Sequence, residues 1–210
     1  MAAAARIDID TVPNASAEQR FVIHGVSWEQ YETIREVLDQ PGLRMTYLEG
    51  ALELMSPGRQ HEDSKKTIAR LVEAYALERD IPLNGYGSTT FRRRAKERGV
   101  EPDECYMVGV SVDSDDQTTP PHIALEFAIT SGGVDKLAVY SGLEVPEVWF
   151  WDGQRFRLYR LEGGSYVSTF ASVYLPDLDL NLVASFVGAK DQTAAVRAYL
   201  ELLRKVLGPV

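Results

Sequence analysis

The segment 122–130 constrains the fold more than any other stretch, because it is apolar almost throughout. A second segment of this kind covers 146–152. Nearly continuous apolar strands are typical of a sheet that is covered on both faces. Between them, a short helix is predicted around 134–142. The pattern therefore predicts an α/β chain, of α+β type, with a central mixed sheet flanked by helices.

Helical periodicity is clearest from His61 to Arg79, where apolar residues recur at intervals of three and four. The sequence Ser27-Trp28-Glu29-Gln30 has the pattern of a capping box, which predicts a first helix over 28–39. A terminal helix is predicted over 192–207. The other predicted strands are a hairpin over 45–55 that turns at Glu49-Gly50, single strands at 83–93 and 103–110, and a second hairpin formed by 155–161 and 165–173.

The 210-residue chain contains no repeat and no linker long enough to separate domains. We therefore expect a flexible tail over 1–20, one domain over 21–190 and a C-terminal helix over 191–210. No run of eighteen apolar residues predicts a membrane span, and the first residues lack the apolar core of a secretory signal. The single cysteine, Cys105, fits a reducing cytoplasm.

Glu126 is the most informative polar residue, because it interrupts the apolar segment Ile123 to Ile129. A buried ionised carboxylate costs several kcal/mol unless it is paired, hydrogen-bonded or bound to a metal. Ala124 and Ala128 lie on the same face of the predicted strand and leave space beside the carboxylate. A structural ion pair with an arginine and a functional site are both compatible with this pattern.

Asp103 follows Pro102 and so stands at the start of its predicted strand. Alone it could be a turn or cap residue. Carboxylates from two neighbouring strands, however, suit an oxygen-preferring ion such as Mg²⁺, which keeps several waters. We therefore expect Asp103 and Glu126 to form a site for Mg²⁺ or Mn²⁺.

Short motifs occur through residues 45–180 in an order that is more specific than any one residue. They are Glu49-Gly50, Met55-Ser56-Pro57, His61, Gly87-Ser88-Thr89-Thr90, Glu101-Pro102-Asp103-Glu104-Cys105-Tyr106, Leu125-Glu126, Asp135-Lys136-Leu137, Tyr140 and Val145-Pro146-Glu147-Val148-Trp149. The series resembles the Uma-type family of restriction endonucleases in the PD-(D/E)XK nuclease superfamily. The resemblance implies a restriction endonuclease-like fold, with an added N-terminal helix-hairpin and C-terminal hairpin. It also implies metal-dependent cleavage of DNA, with Asp103 and Glu126 as metal ligands.

One position departs from the superfamily motif, because the residue two places after Glu126 is Ala128 rather than lysine. The resemblance offers Lys136 as the substitute catalytic cation. Helical geometry argues otherwise: a helix that begins at Val134 would turn Lys136 away from the sheet. A solvated helix lysine is therefore the alternative.

Three further residues are weaker site candidates. His61 lies on the apolar face of the long helix, at its N-terminal end, and could point into the site. Glu62 matches the acid that superfamily members often carry in this helix, although an acid also suits the positive end of a helix. Glu49 belongs to the acidic-glycine motif, but acids are common in turns.

The net charge of −9 opposes tight nonspecific binding of DNA, which requires a surplus of Lys and Arg. A basic run over 92–98 is either a binding patch or a solvated face.

Two alternatives to a nuclease remain. One is a catalytically inactive module that binds protein or DNA, and the other is a metal enzyme that acts on a nucleotide or sugar phosphate. A homodimer is expected by analogy with nucleases that cut duplexes symmetrically, and from the aromatic content of 145–151 and of the Tyr-rich C-terminal hairpin.

Overall fold

The computed structural model describes residues 18–38, 42–110, 119–127 and 133–208. The strands in this part of the chain are β1 (Gln19–His24), β2 (Arg44–Leu48), β3 (Ala51–Ser56), β4 (Leu83–Gly85), β5 (Phe91–Arg93), β6 (Arg98–Val100), β7 (Glu104–Val108), β8 (Ile123–Phe127), β9 (Glu147–Trp151), β10 (Phe156–Glu162) and β11 (Ser165–Thr169). The helices are α1 (Trp28–Val37), α2 (Arg59–Glu78), α3 (Lys136–Leu143), α4 (Leu180–Phe186) and α5 (Gln192–Leu207), with a 3₁₀ turn at Arg94–Lys96.

In the described residues the strands form two sheets. The first has the order β1-β3-β2-β6-β5, with antiparallel neighbours throughout. The hairpin β2–β3 turns at Glu49 and Gly50, whose φ angles of 43° and 92° lie in the left-handed region. Helix α1 begins with the capping box at Ser27 and packs its buried Trp28 and Tyr31 against Tyr47 of β2.

The second sheet has the order β11-β10-β9-β8-β7-β4 and is mixed, because β8 and β9 run parallel while the other neighbours are antiparallel. Successive side chains of a strand point to opposite faces. Leu125 and Phe127 accordingly join the core that contains the apolar face of α2, whereas Ala124 joins the core that contains α3. Helix α3 also contacts β2, β5 and β6, so it lies between the two sheets.

The predicted fold class is confirmed, with mixed strands and helices on both faces of β8 and β9. Two features differ from the sequence analysis. The predicted strand 83–93 is two strands, β4 and β5, which belong to different sheets. The chain passes between the sheets at Tyr86 to Thr90, where Gly87 has a φ of 59°. Strands β1 and β6 and helix α4 were not predicted, and β1 begins at Gln19, inside the segment expected to be a tail.

The aromatic residues of 145–151 do not form the surface patch that suggested association. Trp149 and Trp151 are buried in the core beneath α2, and Phe150 is half-buried. The reason is that β9 is an interior strand, so both of its faces are covered. Among the described residues, none of the helices has the length and hydropathy needed to cross a bilayer.

Candidate active site

Asp103 and Glu126 approach each other at the end of the ladder between β7 and β8. The antiparallel register pairs Glu104 with Leu125, and one pair further along places Asp103 opposite Glu126. Asp103 Oδ2 accepts a hydrogen bond of 2.9 Å from the backbone N–H of Phe127. Both carboxylates are buried, with 1% and 3% of their residues' surfaces exposed. Two buried acids, one directly before β7 and one in β8, therefore lie side by side.

Lys136 and Tyr140 of α3 hold the carboxylate of Glu126. Lys136 Nζ lies 3.2 Å from Oε2 and 3.3 Å from Oε1, and the hydroxyl of Tyr140 donates to Oε1. Helix α3 begins at Lys136, with Asp135 as its N-cap, rather than at Val134. Lys136 lies one turn before Tyr140 on the buried face of the helix, and the sequence-based inference that it points away from the sheet was wrong.

His61 of α2 holds the carboxylate of Asp103. Its Nε2 lies 2.9 Å from Asp103 Oδ1, and its Nδ1 lies 3.1 Å from Glu18 Oε2. Burial opposes protonation of the ring, but the hydrogen bonds with Asp103 and Glu18 outweigh it and raise the pKa of His61 to about 9. Burial likewise opposes ionisation of Asp103, and the contact with His61 outweighs it, so that the pKa of this carboxyl is lowered. The pair is an imidazolium facing a carboxylate at neutral pH.

The carboxyl of Glu126 ionises less readily than an ordinary glutamate. Burial is the main cause and raises its pKa to about 7; the charge of Lys136 acts in the opposite direction, while the charge of Asp103 adds to the rise. Lys136 has a raised pKa in spite of burial, because of the charge of Glu126 above all. Glu126, with a pKa raised to about 7, therefore lies beside a lysine whose pKa is also raised, and perturbed groups of this kind are common at functional sites.

Glu53 of β3 and Arg20 of β1 complete the polar cluster, and neither residue was a site candidate from the sequence. Glu53 Oε2 accepts 2.8 Å from Val134 N–H and 3.3 Å from Arg20 Nη1. Glu53 could have been found, because it interrupts Leu52-Glu53-Leu54 as Glu126 interrupts its own strand. Arg20 and Glu18 gave no signal, because their roles depend on the pairing of β1 with β3.

Two of the weaker candidates lie outside this cluster. Glu62 is 41% exposed at its side chain and pairs with Lys65 on the same helix. Glu49 occupies the β2–β3 turn and binds Arg98, with 64% of its side chain exposed. Both make surface ion pairs of a kind that contributes little to stability. Ala128, at the position of the superfamily lysine, lies outside the described residues.

The donor set of Asp103 and Glu126 fits a hard divalent ion that keeps part of its hydration shell. Among the described residues, no group of three or more His, Cys, Asp and Glu side chains is arranged to hold a metal. Mg²⁺ is commonly bound by one or two carboxylates, with waters and substrate phosphates as its other ligands. The carboxylates could supply the oxygen ligands, and the neighbouring cations Lys136 and His61 limit their mutual repulsion.

The basic run over 92–98 is largely neutralised in the structure. Arg93 pairs with Glu144 and Arg98 with Glu49. Arg94 is close to Glu29 and Glu32. The run therefore resembles a solvated face more than a free basic patch.

Comparison with protein families gave a match over residues 28–189 to the Uma2 family, described as "Putative restriction endonuclease". The matched region contains His61, Asp103, Glu126 and Lys136, as well as Glu53. A comparison with curated proteins found no match.

Proposed function

Because the chain belongs to the Uma2 family of restriction endonucleases, we propose that it is a divalent-metal-dependent endonuclease that hydrolyses phosphodiester bonds of DNA. One observation carries the proposal. Asp103, directly before β7, lies beside Glu126 of β8, and Lys136 lies against Glu126. Carboxylates that can bind a divalent ion, with a cation beside them, suit this hydrolysis.

The proposed roles follow from the positions of the side chains. Asp103 and Glu126 would hold Mg²⁺ or Mn²⁺. When bound, such an ion polarises a phosphate and makes a bound water more acidic. Glu126 would accept a proton from the attacking water, and the proton would reach the departing 3′ or 5′ oxygen by way of solvent. Lys136 would stabilise the negative charge that develops on the phosphate, while His61 orients Asp103.

A second candidate is a nuclease-fold module without catalytic activity that binds protein or DNA. It is favoured by the pairing of both acids, since His61 holds Asp103 and Lys136 holds Glu126. The net charge of −9 also favours it. In this case the polar cluster is a buried structural network, and the acids have no ion to bind.

The decisive experiment is a cleavage assay. The purified protein is incubated with supercoiled plasmid or single-stranded DNA in the presence of Mg²⁺, Mn²⁺ or a chelator. We expect nicking or linearisation with a divalent ion only, and its loss in Asp103→Asn and Glu126→Gln. Glu147→Gln is the matched control, because Glu147 is equally buried and accepts from Trp149 and Val173, away from the site. Cleavage that survives both site variants would remove these acids from catalysis.

We also propose that the enzyme acts as a homodimer in the cytoplasm. The support for a dimer is the analogy with nucleases that cut both strands of a duplex. The support for the compartment is the single cysteine, Cys105, which is buried.

A further inference from the structure

The start of helix α3 is attached to the first sheet through one carboxylate oxygen. Oε2 of Glu53 accepts from the backbone N–H of Val134 and from the guanidinium of Arg20. Val134 precedes Lys136 by two residues, so the anchored amide lies at the entry of the helix that carries the lysine. Glu53 is 1% exposed, and charge-assisted hydrogen bonds of this kind are among the stronger ones in proteins.

The close approach of the chain to this carboxylate depends on Gly133. Its φ of 104° lies in the region that glycine tolerates best. A Cβ at this position would lie 2.0 Å from Glu53 Oε2 and 2.6 Å from Arg20 Nη1. Any larger residue would have to displace the pair or the helix entry. The backbone before α3 is therefore shaped to fit the Arg20–Glu53 pair.

The same pair connects to the other half of the site. Arg20 Nη2 lies 2.9 Å from Glu18 Oε1, and the second oxygen of Glu18 contacts His61. His61 in turn holds Asp103. A continuous series of polar contacts thus runs from Asp103 to the entry of α3, and it passes through strand β1.

We propose that Glu53, held by Arg20, is a positioning residue that fixes the entry of α3 and thereby keeps Lys136 against Glu126. Lysine has a long, flexible side chain, so a fixed position of its ammonium group requires a fixed backbone. Glu53 supplies that constraint through its hydrogen bond with Val134. The inference rests on the proposed role of Lys136, but the placement of α3 is measurable without cleavage.

Amide hydrogen exchange, followed by mass spectrometry without DNA or metal, tests the placement. In Glu53→Ala, exchange at Val134 and in the first turn of α3 should rise about tenfold, because the amide loses a charge-assisted acceptor. Glu53→Gln should restore much of the protection, since its amide oxygen can still accept from Val134. In the matched control Glu147→Gln, protection of α3 should equal that of the parent.

Protection of α3 that is unchanged in folded Glu53→Ala would overturn the proposal. If Glu53→Ala does not fold, Arg20→Met takes its place. That variant removes the partner that holds Glu53 and should raise exchange in the same segment, and unchanged exchange there would equally overturn the proposal.

A double-mutant cycle on plasmid cleavage tests whether Glu53 acts through Lys136. Glu53→Ala should lower kcat with little change in KM in the parent, and Glu53→Gln should recover part of the loss. In a Lys136→Met background, Glu53→Ala should have no further effect. Equal losses in both backgrounds would contradict the proposal. A parent without cleavage would instead refute the proposed function, and the exchange result would still decide the positioning.

Discussion

Lys136 Nζ lies 3.2 Å from Glu126 Oε2, although the two residues belong to different elements, α3 and β8. In the superfamily motif, the corresponding cation follows the glutamate in the same strand. Here the sequence has Ala128 at that position, and a lysine from the next helix reaches the carboxylate instead. The helix can do this because it begins at Lys136 and is anchored by Glu53 at Val134.

Lys136→Met should reduce cleavage by about two to three orders of magnitude, because a single group that stabilises transition-state charge commonly has an effect of this size. Binding of the metal should persist, since both carboxylates remain, and the metal should still raise the melting temperature. Lys65→Met is the control, because Lys65 is also a buried lysine but pairs with Glu62. A similar loss in both variants would show that Lys136 has no special role.

Metal-free protein should lose stability, relative to Glu126→Gln, as the pH rises from about 5 to 8. The pKa of Glu126 is raised from its ordinary 4.5 to about 7, so the folded state holds a proton in this range that the unfolded state has released. The free energy of unfolding that this bound proton contributes is complete below pH 4.5 and is lost as the pH rises past 7. Urea unfolding in chelator at several pH values measures it. A difference between parent and variant that does not change with pH would argue against a raised pKa.

His61→Gln should be most destabilising near pH 6 and less so near pH 10. The folded pKa of His61 is about 9, against an ordinary 6.5. The stabilising charge is therefore fully present below pH 6.5 and is lost as the pH rises through 9. Between pH 6 and pH 10, the difference in free energy of unfolding between parent and variant should shrink by up to about 3 kcal/mol, since one pKa unit is worth about 1.4 kcal/mol. The same unfolding measurements check this, and a gap that widens with pH would contradict it.

Mg²⁺ or Mn²⁺ should stabilise the parent by about 2.7 kcal/mol when its concentration is a hundred times its dissociation constant. Asp103→Asn should abolish the effect, because it removes one of two carboxylate ligands. Thermal melts with chelator and with each ion provide the measurement, and Glu147→Gln should respond like the parent. A parent that does not respond to either ion would favour the inactive module.

We expect a dimer by light scattering at micromolar concentration. The expectation rests on the analogy with symmetric nucleases and on Tyr159 and Tyr166 of the C-terminal hairpin, which are partly exposed. The tryptophans of β9 that also suggested an interface are buried. A monomer, both with and without duplex DNA, would show that one chain acts alone.

Site residues could be predicted where a charged side chain interrupts an apolar strand. Glu126 stands out because an acid inside an apolar strand has to be compensated. Glu53 also interrupts an apolar strand and could have been predicted in the same way, but it was not among the candidates. The position of Lys136 was misjudged because Val134 was taken as part of the helix and of its buried face. The helix begins at Lys136, and its buried face is formed by Val139, Tyr140 and Leu143.

The contributions of β1 could not have been predicted from local patterns. Its apolar residues, Phe21, Val22 and Ile23, form a run too short to indicate a strand, and all three are exposed. Pairing with β3 brings Glu18 and Arg20 to the site, and such long-range pairing leaves no local signal. The division of 83–93 between two sheets was missed for the same reason.

The polar cluster draws on β1 and β3 of one sheet, β8 of the other, the residue before β7, and helices α2 and α3. Sheet docking is what brings Glu53 to the entry of α3 and Glu18 to His61. In a chain with either sheet unformed, the acids and cations of this cluster, from Glu18 to Lys136, would remain far apart in space. The proposed nuclease activity would then appear only after both sheets have docked, so nascent, misfolded or partly degraded copies would lack it.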